Sequence, residues 1–288
     1  MTEYESKFNK AEEYLDKKQY LQALQIFQSL QDVPQFKRKS LLKLIEIYDA
    51  QNQVDSAIKL FENYLSDEPD DENIRTFYAQ FLIRHKKYAD SHDVLSGVSI
   101  KKHPEKNFLM GMVNYYLNDY EISLINFEEF IKRNKTSKLL PEAHLYSAKC
   151  HLNNRELDLA LKELKKSEEL SNHNYEVYQT FAMVYYLKAM YFHALESIRK
   201  SIELNPVEVT NYELSGKIYF KLGEYQKARK ELETVSKKID LDFESYALLG
   251  ITCLKLKDDN TAKKYFELAL KKNPANEIAL KELANCKP

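Results

Sequence analysis

The side chains able to do chemistry in this 288-residue chain are few and dispersed. His144 and His151 lie seven apart, nearly on one face of a helix but two turns from each other, and His85 and His92 repeat that spacing. A metal ion needs ligands that converge on one point, so this spacing reads as packed, hydrogen-bonded histidines. Cys150, Cys253 and Cys286 are too few and too scattered for a disulfide framework or a zinc site, and they suggest a reducing compartment. The chain has five glycines, three of them at tight-packing positions, and no phosphate-cradling loop can be drawn from them. The acidic run Asp67, Glu68, Asp70, Asp71 and Glu72 precedes a helical stripe, where carboxylates cap free amides and oppose the helix dipole. Lys132, Arg133, Lys135 and Lys138 are the nearest approach to a basic patch. A formal net charge of −1 nevertheless implies no general affinity for polyanions, so no nucleic-acid partner is expected. The expectation is a protein that is not an enzyme and uses no metal or cofactor.

The elements that would position these residues follow from a 34-residue period. Tyr246, Leu249, Gly250, Ala262, Phe266, Ala269 and Pro274 are preceded one period earlier by Tyr212, Gly216, Tyr219 and Ala228. Tyr178, Ala182, Tyr185, Ala194 and Pro206 stand one period before those. A repeat of this length leaves an apolar face bare until its neighbours cover it, so the units must stack. Inside a unit the apolar residues recur at three and four, as in Ala57, Leu60, Phe61, Tyr64 and Leu65, the stripe of an amphipathic helix. Six of the seven prolines (34, 69, 104, 141, 206 and 274) fall at unit boundaries, where a missing amide and a fixed φ end or begin helices. Gly111, Ala182, Gly216 and Gly250, with Ala194, Ala228 and Ala262, sit where two helices must cross closely. The pattern predicts an all-α chain of helix pairs.

The pattern resembles the tetratricopeptide repeat (TPR) family, whose signature runs Trp-x2-Leu-Gly-x2-Tyr, then Ala-x3-Phe, then Pro. Residues 243–276 fit it with Tyr246 for the Trp and Cys253 for the Tyr, and the resemblance covers about 95% of the chain as eight repeats. Residues 4–137 hold repeats one to four, with 72–103 two residues short. Lys138–Leu140 is a three-residue insertion, residues 141–276 hold repeats five to eight, and 277–288 form a capping helix. Leu280 and Leu283 of that cap are expected to cover Tyr246, Leu249 and Phe266. The resemblance implies an α-solenoid, a right-handed superhelix of antiparallel helix pairs.

The resemblance also assigns ligand contacts to positions 2, 5, 9, 12 and 13 of each repeat, on the first helix. Carried over, these positions give Phe108, Met112, Tyr115 and Tyr116 in the fourth repeat, Lys149 in the fifth, Gln179, Met183 and Tyr186 in the sixth, and Lys217 in the seventh. Tyr115, Met183 and Tyr186 are read equally well as packing against neighbouring helices. A patch of Met and aromatic residues flanked by lysines suits an apolar peptide segment or helix. The subgroup of the family that clamps the C-terminal carboxylate of heat-shock chaperones needs Asn at position 9. That position here reads Glu12, Glu46, Gln80, Met112, Lys149, Met183, Lys217 and Ile251, so tail docking is disfavoured. The function expected is a scaffold or adaptor that binds a protein segment in the concave groove. The alternative is a chaperone-like or pilotin-like assembly factor for an envelope or secretion component. Residues 1–20 are charged throughout and the longest apolar run, Phe181–Leu187, is too short to enter a bilayer. A cytoplasmic location follows by default, with a bacterial envelope location if a targeting segment precedes these residues.

Overall fold

A three-residue link with a left-handed residue at its centre is the commonest device in the molecule. The computed structural model describes residues 2–285, which form seventeen helices and no strand. Two compact units divide the chain, Met1–Arg133 and Asn134–Pro288. The first contains α1 (Glu3–Asp16), α2 (Tyr20–Leu30), α3 (Pro34–Ala50), α4 (Val54–Asp67), α5 (Glu72–Arg84), α6 (Tyr88–Ser96), α7 (Lys106–Tyr116) and α8 (Tyr120–Arg133). The second contains α9 (Leu140–Asn153), α10 (Leu157–Leu170), α11 (Tyr175–Leu187), α12 (Tyr191–Leu204), α13 (Val209–Lys221), α14 (Tyr225–Ser236), α15 (Phe243–Lys255), α16 (Asp259–Lys272) and α17 (Glu277–Asn285).

Each odd-numbered helix up to α15 is joined to its successor by such a link. The central residues are Lys18, Asn52, Lys86, Asn118, Arg155, Ala189, Gly223 and Lys257, all at positive φ between 56° and 77°. The left-handed residue ends the first helix and turns the chain back, giving an antiparallel hairpin. These residues follow one another at intervals of 34, 34, 32, 37, 34, 34 and 34. The short interval belongs to the third repeat, and the long one contains Lys138–Leu140.

The crossing within each pair depends on small residues. A Cβ on Gly250 would lie 2.6 Å from the Phe266 ring, one on Gly111 2.7 Å from Phe127, and one on Gly216 2.7 Å from Leu232. Ala182, Ala194, Ala228 and Ala262 are fully buried at the equivalent places. Two pairs put serine on the second helix instead. The Ser91 and Ser123 hydroxyls donate across the crossing to the Ala79 and Gly111 carbonyls at 3.0 and 2.8 Å, so these buried groups cost no unmet hydrogen bond. The acidic run does what its place before a helix predicts, because the Asp71 carboxylate accepts from the Ile74 amide and caps α5.

At the other end, α17 packs on α15 and α16, but through different residues from those expected. Ala279 is fully buried and Leu283 packs against the cluster containing Tyr246 and Phe266, whereas Leu280 is 49% exposed. Residues 286–288 of the expected cap lie outside the described residues.

Candidate functional site

In the second unit the exposed faces of the first helices are stitched together by polar side chains. Lys149 on α9 pairs with Glu176 on α11, and its ammonium lies 4.9 Å from the centre of the Tyr146 ring. Gln179 on α11 donates from Nε2 to Thr210 Oγ1 on α13 at 2.7 Å. Glu213 on α13 accepts from Ser245 Oγ on α15 at 2.5 Å and pairs with Lys217 at 2.7 Å. Three of the residues proposed from sequence as partner contacts, Lys149, Gln179 and Lys217, therefore engage groups of this unit itself. Tyr186 packs its ring 5.8 Å from Tyr191, the first residue of α12, and burial pushes its phenol pKa up. The same position-12 packing recurs as Phe220 on Tyr225 at 5.7 Å. Met183, 37% exposed, is left facing outward on α11.

The first unit holds the remaining four candidates on α7. Phe108 is only 4% exposed and packs on Phe127 and Phe130, with ring centres 5.9 and 5.4 Å away. It is a core residue and is withdrawn as a contact residue. Leu42, Gln179 and Glu213 hold the same position of their repeats and face outward or bridge to the next first helix, whereas in this pair the side chain turns onto α8. Tyr115 sits 5.8 Å from Tyr120 in the same intrapair contact as Tyr186. Tyr116 is 38% exposed and stacks on Tyr88 at 4.4 Å, and Met112 is half-buried.

A large opening on these faces was not singled out by residue type. Between α3 and α5 of the first unit lies a cleft of about 870 Å3. Its floor is apolar, formed by Leu42, Ile45, Ile74 and Phe77, and the Phe77 ring lies 5.8 Å from core Phe61. Its rim is charged. Asp49 closes one end, accepting from Arg84 Nη1 at 2.7 Å and lying 2.8 Å from His85 Nε2. Near the other end Arg38 Nε approaches Asp71 at 3.3 Å. Leu42, Glu46, Asp49 and Ala50 stand at positions 5, 9, 12 and 13 of the second repeat, and Asn73 and Arg84 at 2 and 13 of the third. The signal was thus the position in the repeat, hidden because three of these six residues are charged and none is aromatic or Met.

The histidines have structural partners. His144 Nδ1 lies 2.6 Å from Glu163 Oε2, and Glu163 also accepts from Lys166 at 2.7 Å. Burial acts to raise the Glu163 pKa, but the bonds to His144 and Lys166 outweigh it and hold the carboxyl at about 2. His151 Nδ1 lies 2.6 Å from Glu156.

Family models for tetratricopeptide repeats match residues 14–81, 108–174, 209–237 and 243–276. The chain belongs to the tetratricopeptide-repeat family. The model for subunit 3 of the anaphase-promoting complex, cyclosome, matches residues 50–130 of this TPR protein. No curated protein matches it in sequence. Among solved structures, the APC/C hetero-tetramer Cut9-Hcn1 superposes over 93% of this chain with a TM-score of 0.70 and 12% identity. The TPR chain spans about half of that protein, 53% of its length. PilF of Pseudomonas aeruginosa aligns with 74% of this chain and 97% of its own, with a TM-score of 0.65 and 12% identity. YrrB, described as a TPR protein with an unusual peptide-binding site, aligns with 64% of this chain and 94% of its own, with a TM-score of 0.53 and 14% identity. Likeness at these identities establishes an all-α solenoid fold. Among the described residues no helix is long and apolar enough to cross a membrane.

Proposed function

We propose that this TPR protein is a non-enzymatic adaptor that holds a segment of a partner protein on the faces of its first helices, with the α3–α5 cleft as the principal seat. The observation that carries this reading is the cleft itself, about 870 Å3 with an apolar floor between charged walls. A pocket of that size and composition is what an extended or helical segment needs to bury two or three apolar side chains. The second unit supports the reading by contrast, since its equivalent faces are bridged by the Lys149, Gln179 and Glu213 bonds. Met112, Tyr116 and Met183 are secondary contacts in this reading, available to a longer partner segment.

Plugging the cleft tests the proposal. Ala50 and Asn73 line it and are both exposed, so Ala50→Trp and Asn73→Trp fill the space without disturbing the core. Partners retained by the immobilised wild-type chain are expected to be lost from the plugged variants while circular dichroism and melting temperature stay unchanged. Retention of the same partners at undiminished affinity would remove the cleft as the seat.

A further inference from the structure

Tyrosine rings in the second unit repeatedly carry the chain's own lysines. Lys200 Nζ lies 4.0 Å from the centre of the Tyr178 ring, with Glu168 Oε1 3.4 Å away. Lys227 Nζ stands 5.6 Å from the Tyr219 ring and Lys238 Nζ 6.0 Å from the Tyr212 ring. The negative face of the ring attracts each ammonium, and a carboxylate beside it strengthens the hold. Tyr185 breaks this pattern. It stands one period before Tyr219, but the residue one period before Lys227 is His193, whose ring lies 5.4 Å from that of Tyr185. One period before Lys230 stands Glu196, so the charge beside this ring is reversed. Among the described residues no lysine or arginine lies over Tyr185, and none pairs with Glu196.

Tyr178 and Tyr185 line one cavity of about 200 Å3 between α10, α11 and α12. They stand on α11 with Phe181 between them, and the Phe181 and Tyr185 rings stack 6.0 Å apart. The Tyr178 end already holds Lys200 and Glu168, whereas the Tyr185 end offers Glu196 and His193, both exposed. We propose that the Tyr185 end takes the guanidinium of an arginine side chain on a partner protein. Lys200 over Tyr178 displays the class of group that this surface holds, and Glu196 supplies the charge to match it. The cavity is smaller than the roughly 300–1,000 Å3 of small-molecule sites, so it suits one side chain rather than a metabolite. Arginine fits better than lysine because its plane stacks on a ring while its N–H fork reaches a carboxylate, and it sheds water more readily than an ammonium. The site lies wholly in the second unit, so this inference is independent of the α3–α5 cleft.

The probe is the blocked tripeptide acetyl-Gly-Arg-Gly-amide, titrated into the full chain at constant ionic strength while the side-chain NMR resonances of Tyr185 and His193 are followed. Saturable shifts are expected with a midpoint on the order of 10 mM, the strength of one cation–π contact and one exposed ion pair. The matching citrulline tripeptide, similar in shape but uncharged, should produce none. His193→Lys installs the lysine of the seventh repeat and should abolish the response of Tyr185. Glu196→Gln should raise the midpoint about threefold. Both positions are exposed, so both variants should melt as the wild type does. Resonances that stay unshifted up to about 100 mM, ten times that midpoint, overturn the site, as does equal binding of the citrulline peptide or an unchanged midpoint in His193→Lys. A lysine tripeptide that binds as tightly as the arginine one overturns the assignment to a guanidinium.

Discussion

The two units are built from the same hairpin, but the gap between α3 and α5 of the first unit is treated differently from the gaps between successive first helices of the second. In the second unit α9, α11, α13, α15 and α17 each touch the next in turn. Hydrogen bonds at Lys149–Glu176, Gln179–Thr210 and Glu213–Ser245 span the first three of those contacts. In the first unit α3 and α5 make no contact of that extent. Leu42 and Phe77 face the gap where the second unit has polar bridges, and the Asp49–Arg84 pair spans it at one end. A polar bridge satisfies its own donors and acceptors and leaves nothing for a ligand, whereas an apolar floor gains only when something covers it. Equivalent repeat positions thus become internal fastening between the first helices of the second unit and an open seat between α3 and α5.

The comparison can be broken hardest at the core. Phe127→Ala in the first unit and Phe266→Ala in the second each remove a fully buried ring above a glycine, at an expected cost of about 3–5 kcal/mol. Repeat stacks are held by nearest-neighbour contacts, so hydrogen exchange should show lost protection concentrated in the unit carrying the substitution. Protection lost equally across both units would show that they are not separate cooperative bodies.

A feature of the second unit alone is the His144–Glu163–Lys166 cluster. With its pKa held at about 2, Glu163 contributes stability that is fully present above the unfolded-state value of about 4.5 and is lost as pH falls through 2. That difference corresponds to at most about 3 kcal/mol. Glu163→Gln should therefore lower stability near neutral pH and flatten the acid unfolding profile between about pH 4.5 and 2. A variant whose stability follows pH as the wild type does would show that the cluster adds nothing to folding.

The functional contrast is sharpened by paired truncations. Phe77→Ala in the cleft is expected to weaken partner binding at least about tenfold, roughly 1.4 kcal/mol, and Met183→Ala in the second unit by less than about twofold. Titration calorimetry with an identified partner would check this, and the reverse order would move the principal seat to the second unit.

The smallest effects concern what the units share. Lys86 and Ala189 hold φ of 59° and 56° in equivalent links, a conformation that costs a non-glycine residue about 1 kcal/mol. Lys86→Gly and Ala189→Gly should each stabilise by up to about 1 kcal/mol, and Gly223→Ala should destabilise by a similar amount. Denaturant midpoints would register all three, and a Gly223→Ala variant of unchanged stability would mean that the link can be rebuilt without a left-handed residue.

The repeat period, the all-α pairing, the glycine and alanine crossings, and the capping role of Asp71 were legible in the amino-acid sequence. They rest on spacing along a single helix or on one side chain meeting its nearest backbone amides, so local rules suffice. The site was legible only in part. Position within the repeat pointed to Leu42 and its neighbours, but choosing aromatic and Met residues among those positions led past Leu42 to Phe108, which the α7–α8 crossing buries, and Phe77 on the cleft floor stands at position 6, outside the assigned set. The exposure of Leu280 was likewise missed, because burial at its position comes from a second helix that α17 lacks among the described residues.

What the sequence alone determined is the hairpin and its repetition, since a 34-residue period, a small residue at each crossing and a three-residue link are all written within one unit. What only the tertiary structure decided is whether two neighbouring first helices close on each other or stand apart. That depends on whether Gln179 finds Thr210 and Glu213 finds Ser245, or whether Leu42 and Phe77 face an open gap. Such partners lie about thirty residues apart, and their meeting is set by the angle at which one pair packs on the next, a quantity that no single repeat encodes.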